Sequence, residues 1–258
     1  MLRTRLTTTT MMPEVATYNH IYIIVYAPGA AGSFIAALMT TFYGNSSSAS
    51  FSKYGNSHAA ADFKNNIVRF RPYDEDKFGM RTRPFNPSKP HIVLDHGTID
   101  FVELRAKYPN AKIIIIQYTP EDVLLIQANF YFKWQTDAFG MDPNTLEIWK
   151  ILSSRFFNNA PTPHDESITK EMIMAYLESH ASPNIINIIQ PKYKSGTRFA
   201  DPNFFYLEFN DIMCDRDKTL SAVSEMTGLP TNPDAEKFYD DYIAAQKPIW
   251  DFLGYPSI

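Results

Sequence analysis

Residues Ile21 to Met39 constrain the chain more than any other stretch. The first six, Ile21-Tyr22-Ile23-Ile24-Val25-Tyr26, are apolar or aromatic without interruption. That is the pattern of a strand buried on both faces of a parallel sheet. Ala27 and Pro28 follow, then five small residues, Gly29-Ala30-Ala31-Gly32-Ser33. Beyond them Phe34, Ala37, Leu38 and Thr41 recur at helical spacing. Strand, tight small-residue loop, helix is an arrangement that points unpaired backbone N–H groups at an anion. It is not a Walker A loop, because only two residues separate Gly29 from Gly32 and no Gly-Lys-Ser/Thr follows. Two readings stand at this point: a phosphate cradle, or a βα turn whose small residues let helix and strand pack closely.

The remaining apolar runs repeat the alternation. Asn65 to Arg71 and His91 to Asp95 read as strands, as do Ile185 to Ile189 and Phe204 to Phe209. Lys112 to Tyr118 contains four consecutive isoleucines and is the clearest central strand. Helices are expected after Thr98 or Asp100, through Arg105, and from Glu121 to Trp134 with Pro120 at the first position. Others are expected at Leu146 to Phe157, Ile168 to Leu177, Asp217 to Thr227 and from about Asp234 to Gly254. The fold class is therefore α/β: a doubly wound, mainly parallel sheet with a P-loop-like first βα turn and a helical insert at about 140–180. Residues 1–17 are expected to be a flexible N-terminal arm, and 18–258 a single domain.

Composition excludes several functions. A net charge of -4 argues against a general nucleic-acid binder. No apolar run approaches the length of a membrane span. The single cysteine, Cys214, cannot form an intrachain disulfide and fits a reducing, cytoplasmic compartment. With Asp215 beside it and no partner Cys or His, it reads as a packing residue. No His/Cys cluster has metal-ligand spacing, so no metal is expected.

His96, in Asp95-His96-Gly97, stands where a strand ends and a helix begins, the place where open α/β sheets put ligands. A neutral imidazole there is a base near physiological pH, and Asp95 is placed to orient it. The plainer reading is a His that hydrogen-bonds the loop and caps a helix.

The order of elements resembles the sulfotransferase family, whose members move a sulfuryl group from 3'-phosphoadenosine 5'-phosphosulfate (PAPS). Tyr26-Ala27-Pro28-Gly29-Ala30-Ala31-Gly32-Ser33-Phe34 is similar to the family's Pro-Lys-Ser-Gly-Thr-Thr-Trp loop for the 5' phosphosulfate. Val93-Leu94-Asp95-His96-Gly97, then Ala111 to Val123, resembles a Lys-Thr-His-Leu-Pro segment followed by a strand ending Arg-Asn-Pro-Arg-Asp-Val. Tyr118 follows His96 by 22 positions, close to the family interval between the catalytic His and the 3'-phosphate Arg. Phe205 to Ile212, with Thr219-Leu220 to Gly228-Leu229-Pro230, is similar to the Tyr-Glu-Asp-Leu strand and the helix ending Leu-Gly-Leu-Pro. Trp250 to Tyr255 also resembles the C-termini of bacterial members.

The resemblance implies a sulfotransferase-like three-layer α/β/α fold and transfer from PAPS, as co-substrate, to a hydroxyl on a small molecule or glycan. It implies His96 as catalytic base and Pro28, Gly29, Ala30, Ala31, Gly32 and Ser33 as the phosphosulfate loop. Ser33 could instead serve as an N-cap. The family's cations are replaced: Gly29 stands at the loop Lys/Arg, Tyr118 at the 3'-phosphate Arg, and Ile126 at its partnering Ser. Tyr118, with Asn129 and Lys133 on the helical face of Ile126, are the candidates for that pocket. Arg69, Arg71, Arg81 and Arg83 are further cation sources. The alternative is a non-catalytic binding or assembly protein on a degenerate form of the same fold.

Overall fold

A computed structural model of the chain describes residues 21–44, 67–69, 90–96, 100–129 and 191–253. The N-terminal arm, the helical insert, the expected elements at 146–157, 168–177 and 185–189, and Lys133, Arg71, Arg81 and Arg83 lie outside the described residues.

Five strands form one sheet: β1 (Ile21–Val25), β2 (Ile67–Arg69), β3 (His91–Asp95), β4 (Lys112–Gln117) and β5 (Phe204–Glu208). Their order is β2-β3-β1-β4-β5, and every pair is parallel. The central three strands are those whose sequences run apolar without a break, as burial on both faces demands. Ile113 to Ile116 of β4 and Tyr22 to Val25 of β1 are wholly inside the core. Their register, with Ile24 opposite both Leu94 and Ile114, brings the three carboxyl ends level.

Helix α1 (Gly32–Phe42) leaves β1 and is buried along its whole length. Burial extends beyond the expected face of Phe34, Ala37, Leu38 and Thr41, for Ser33 and Thr40 are also inside. The two threonines are accommodated because each hydroxyl donates to a carbonyl one turn back, at Ala37 and Leu38. The outer side of α1 is covered by the last helix. There Phe34 stacks on Tyr242 with ring centroids 3.7 Å apart, and Phe238 and Tyr239 flank it.

α2 (Phe101–Lys107) follows β3, and its amino end is capped by Asp100, whose carboxylate accepts from Val102 N at 2.8 Å. After β4 a single 3₁₀ turn, Pro120–Asp122, leads into α3, residues 123–129. The Asp122 carboxylate accepts from Thr119 N at 2.8 Å and closes the turn. Pro120 at the start and the acids in the first turn match the sequence reading.

The Phe204 to Phe209 strand is a correction. It ends at Glu208, and Phe209–Cys214 forms a short helix, α4. Phe209 continues the apolar run of the strand but is buried as the first helical residue. Then come α5 (Arg216–Thr227), capped by Asp215, and α6 (Pro233–Leu253). Asn232 caps α6 through Ala235 N and also donates to Thr41 O at the end of α1. The Lys112 ammonium donates to Met226 O, tying the start of β4 to the last turn of α5.

The strand order fixes where the sheet opens a crevice. From β1 the chain travels to one side of the sheet, toward β2, whereas from β3 it crosses to the other side, to β4. Right-handed crossovers place those two connections on opposite faces. The loops after β1 and β3, on adjacent strands, therefore part from each other and open a crevice at their carboxyl ends.

Candidate functional site

The first wall of that crevice is the loop between β1 and α1. Ala30 N donates to Ala27 O at 2.9 Å, closing a turn with Pro28 and Gly29 at its centre. Gly29 has φ 91, so this is the Pro-Gly turn in which the third residue must take a positive φ. Ala31 then adopts φ 62, ψ 13, a left-handed conformation that a residue with a Cβ takes only when its surroundings impose it. Ala31 is the N-cap residue, and no side chain caps α1. The reading of Ser33 as N-cap is thus overturned, because the helix has already begun at Gly32. The Ser33 hydroxyl instead lies 3.3 Å from the Tyr26 hydroxyl. A helix of 11 residues with no acid in its first turn and no capping side chain leaves its amino-terminal N–H groups and its positive dipole end for an anion.

Gly32 has a separate purpose. A Cβ there would fall inside 3.0 Å of the Tyr26 ring. The ring rests on the glycine and also packs, tilted, against the His96 ring, with centroids 4.6 Å apart.

His96 forms the second wall. Tyr26 N donates to Asp95 O at 3.0 Å, extending the β1–β3 ladder by one bond. The His96 Nδ1 lies 3.3 Å from Tyr26 O. With Nδ1 as the donor, the neutral ring carries its lone pair on Nε2, the tautomer a general base needs. His96 is exposed while Asp95, its neighbour, is 1% exposed. The structure thus brings together Pro28 to Ser33 and His96, which the sequence put 63 or more positions apart.

The third wall was not read from the sequence. Residues 191–198 fold against the carboxyl end of β4. Tyr118 N donates to Tyr193 O at 3.1 Å and Ser195 N to Tyr118 O at 3.2 Å. Gln117 fastens the segment: its amide donates to Lys194 O at 2.7 Å, to Thr197 O at 2.8 Å and, more weakly, to Lys192 O at 3.4 Å. Its carbonyl accepts from the Arg198 guanidinium. Lys192 is consequently 7% exposed. Its ammonium lies 5.0 Å from the centre of the Phe101 ring. Burial pulls its pKa below the usual lysine value, and the nearby Asp95 carboxylate opposes that shift. Tyr193, fully buried, has a hydroxyl within electrostatic reach of Asp95, Tyr118 and Tyr26, and desolvation pushes its pKa well up. The hydroxyls of Tyr193 and Tyr118 have no hydrogen-bond partner among the described residues.

Of the other sequence candidates, Tyr118 stands at the end of β4 with its phenol pushed up to about 12 by burial. Asn129 is fully buried, and its amide has no partner among the described residues. It sits six residues beyond Val123, about 9 Å further along α3 at 1.5 Å per residue, and no hydrogen bond among the described residues joins it to the loop. Arg69 lies on β2, at the sheet edge, opposite Leu94. Cys214 is a correction: it is exposed rather than packed. Its thiol donates to Asn210 Oδ1, and burial of the sulfur with neighbouring carboxylates raises its pKa, the opposite of a nucleophile's need.

Among the described residues no group of three or more His, Cys, Asp or Glu side chains is placed to hold a metal ion. No described helix is long and apolar enough to cross a membrane. Comparison of the chain with protein-family models and with curated proteins finds no match.

Proposed function

We propose that this protein binds a phosphate-bearing adenosine nucleotide in the crevice between β1 and β3, and that the activity there is sulfuryl transfer from PAPS to a hydroxyl acceptor. The observation that carries the reading is the juxtaposition of the uncapped amino end of α1 with His96 at the switch point of a parallel sheet. The finer fold reading, a sulfotransferase-like three-layer domain, is part of this proposal. It draws support from the strand order and from the position of the small-residue loop.

The residues suit the nucleotide in specific ways. The backbone of Gly29 to Ser33 presents donors without requiring the lysine that Gly29 replaces. The phenols of Tyr193 and Tyr118, buried near the carboxyl end of β4, have hydroxyls without a hydrogen-bond partner among the described residues. PAPS would supply the sulfuryl group. The loop amides hold the phosphate side of the bond that breaks, which favours the charge that builds there. His96 Nε2 takes the proton from the acceptor hydroxyl as the new S–O bond forms. Tyr26 O, held to Nδ1, keeps the ring in that tautomer. Acceptors are small molecules or glycans bearing a hydroxyl.

Calorimetric titration with adenosine 3',5'-bisphosphate, with ATP as the control, tests the reading. Binding of the bisphosphate in preference to ATP is expected. Absence of binding by either overturns it and favours the non-catalytic binding or assembly protein.

A further inference from the structure

One residue, Tyr26, touches both of the walls that carry the reading above. It directly follows Val25, the last residue of β1. Its backbone N–H donates to Asp95 O at 3.0 Å, so the β1–β3 ladder continues one step past the end of the strand. Its carbonyl lies 3.3 Å from His96 Nδ1. Its ring packs at 57° against the His96 imidazole, with centroids 4.6 Å apart. The same ring fills the space that a Cβ on Gly32, the first residue of α1, would need. Its hydroxyl lies 3.3 Å from the hydroxyl of Ser33, the second residue of α1.

We propose that Tyr26 is the positioning residue of this site. It sets the tautomer and direction of His96, and it orders the Ser33 hydroxyl at the amino end of α1. The proposal rests on the nucleotide-binding reading above and adds to it a residue that acts only through its neighbours.

The backbone carbonyl and the ring act on His96. A carbonyl oxygen only accepts, so in the neutral imidazole this bond requires the proton on Nδ1. At 3.3 Å it is long for an N–H···O bond, and His96 is exposed to competing water. The ring contact supplies what the bond lacks, because an imidazole that swings off Tyr26 loses both interactions together. The hydroxyl acts on the other wall. A serine hydroxyl is free to rotate, but Ser33 meets a phenol whose ring is packed against Gly32 and His96. Tyr26 and Ser33 are both buried, so their bond is made away from bulk water, where it is stronger. A hydroxyl ordered in advance loses less freedom when a phosphate oxygen arrives.

The two halves are read separately. Nitrogen NMR of the imidazole at about pH 8, where histidine is neutral, gives the tautomer of His96, its signal assigned by loss in His96→Gln. The wild type and Tyr26→Phe should both carry the proton on Nδ1. Tyr26→Leu keeps a buried apolar side chain but removes the flat ring, and should move the proton toward Nε2. Calorimetry with adenosine 3',5'-bisphosphate reads the other half. Ser33→Ala should weaken binding about twofold to tenfold, the worth of one neutral hydrogen bond. Tyr26→Phe should weaken it as well, and the double variant should bind no worse than Ser33→Ala alone. Should Tyr26→Leu fail to fold, the wild-type tautomer and the Tyr26–Ser33 cycle still decide. A wild-type proton on Nε2, an unmoved tautomer in folded Tyr26→Leu, or additive losses in the cycle each overturn the assignment of Tyr26 and leave the nucleotide reading standing. No binding of the bisphosphate by the wild type overturns both.

Discussion

The contact between Gly32 and Tyr26 gives the most direct test of how the site is built. Gly32→Ala adds one methyl group inside 3.0 Å of three ring atoms of Tyr26. The ring has little freedom to retreat, because Tyr26 is 3% exposed, its hydroxyl lies 3.3 Å from that of Ser33 and its ring packs against His96. Overpacking of this kind costs about 1–3 kcal/mol. Alanine's better helix propensity returns up to about 1 kcal/mol, less at a first turn. The net expectation is a loss of about 1–2 kcal/mol, or a fall in Tm of roughly 2–8 °C for a chain of this size. Urea unfolding of Gly32→Ala, Tyr26→Ala and the double variant separates causes. Tyr26→Ala alone empties a buried ring and should cost about 3–5 kcal/mol. On that background Gly32→Ala should become neutral or mildly stabilising, so the cycle shows a coupling of about 2 kcal/mol. An equal cost for Gly32→Ala in both backgrounds would refute the packing argument and leave the glycine to a backbone role. The His96 ring proton resonances should move in Gly32→Ala, since the Tyr26 ring current acts on them directly.

Gln117→Leu removes the fastening of residues 191–198 and should cost about 2–3 kcal/mol, counting about 1 kcal/mol for each good bond lost. Hydrogen exchange should speed at the amides of Tyr118 and Ser195 while Ile114 in the middle of β4 stays protected; unchanged exchange at the first two would show that the segment is held by something else. At alkaline pH the buried phenols dominate. Tyr22, Tyr118, Tyr193, Tyr239 and Tyr242 all have folded-state pKa values raised by burial, that of Tyr118 to about 12. The unfolded chain therefore loses those protons first, above pH 10, and stability falls as pH rises; Tyr242, fully enclosed, contributes about 1.4 kcal/mol per pH unit. Phenolate absorbance should appear for these residues in step with unfolding rather than before it, and early, fully reversible ionisation of all of them would contradict their burial.

The sheet was legible because burial on both faces leaves a plain record: Ile113 to Ile116 and Ile21 to Tyr26 have no polar residue to suggest an exposed side. The end of β5 was not, since Phe209 is as apolar in α4 as it would be in a strand, and a six-residue helix has too few turns to impose a period. Half of the site could be read. Pro28-Gly29 announces its turn, and a His directly after a short apolar strand announces a strand-end position. The left-handed Ala31 could not be anticipated, because alanine signals helix and gives no hint of a positive φ. Gly32 was read as a phosphate contact, whereas its missing side chain also makes room for Tyr26. The third wall was hidden for a topological reason. In Pro191-Lys192-Tyr193-Lys194 the lysines look alike, yet Lys192 is buried and Lys194 exposed. Gln117, 75 positions earlier, bonds the backbone carbonyls of both, a partnership that no local pattern announces.

That separation bears on how a neutral loop on this topology handles charge. In a parallel sheet all carboxyl ends lie on one side, so anything folded over that side meets the same crevice whatever its place in sequence. A lysine in the β1 loop would have to share space with Tyr26 and Ser33, where a short turn leaves room only for small residues. The segment anchored to β4 keeps its backbone in a turn of its own, closed by Thr197 N to Lys194 O. Burial of Lys192 there pulls its pKa down, and the Asp95 carboxylate at the end of β3 opposes that shift. With no cation in the loop itself, the proposed phosphate site relies on short contacts from the backbone amides of Gly29 to Ser33. A site of that kind should bind phosphate with little dependence on ionic strength, in contrast to one built from exposed arginines. Measuring the affinity for adenosine 3',5'-bisphosphate across a range of salt concentrations distinguishes the two designs, and a steep loss with salt would place the decisive charge on exposed side chains rather than on the loop amides.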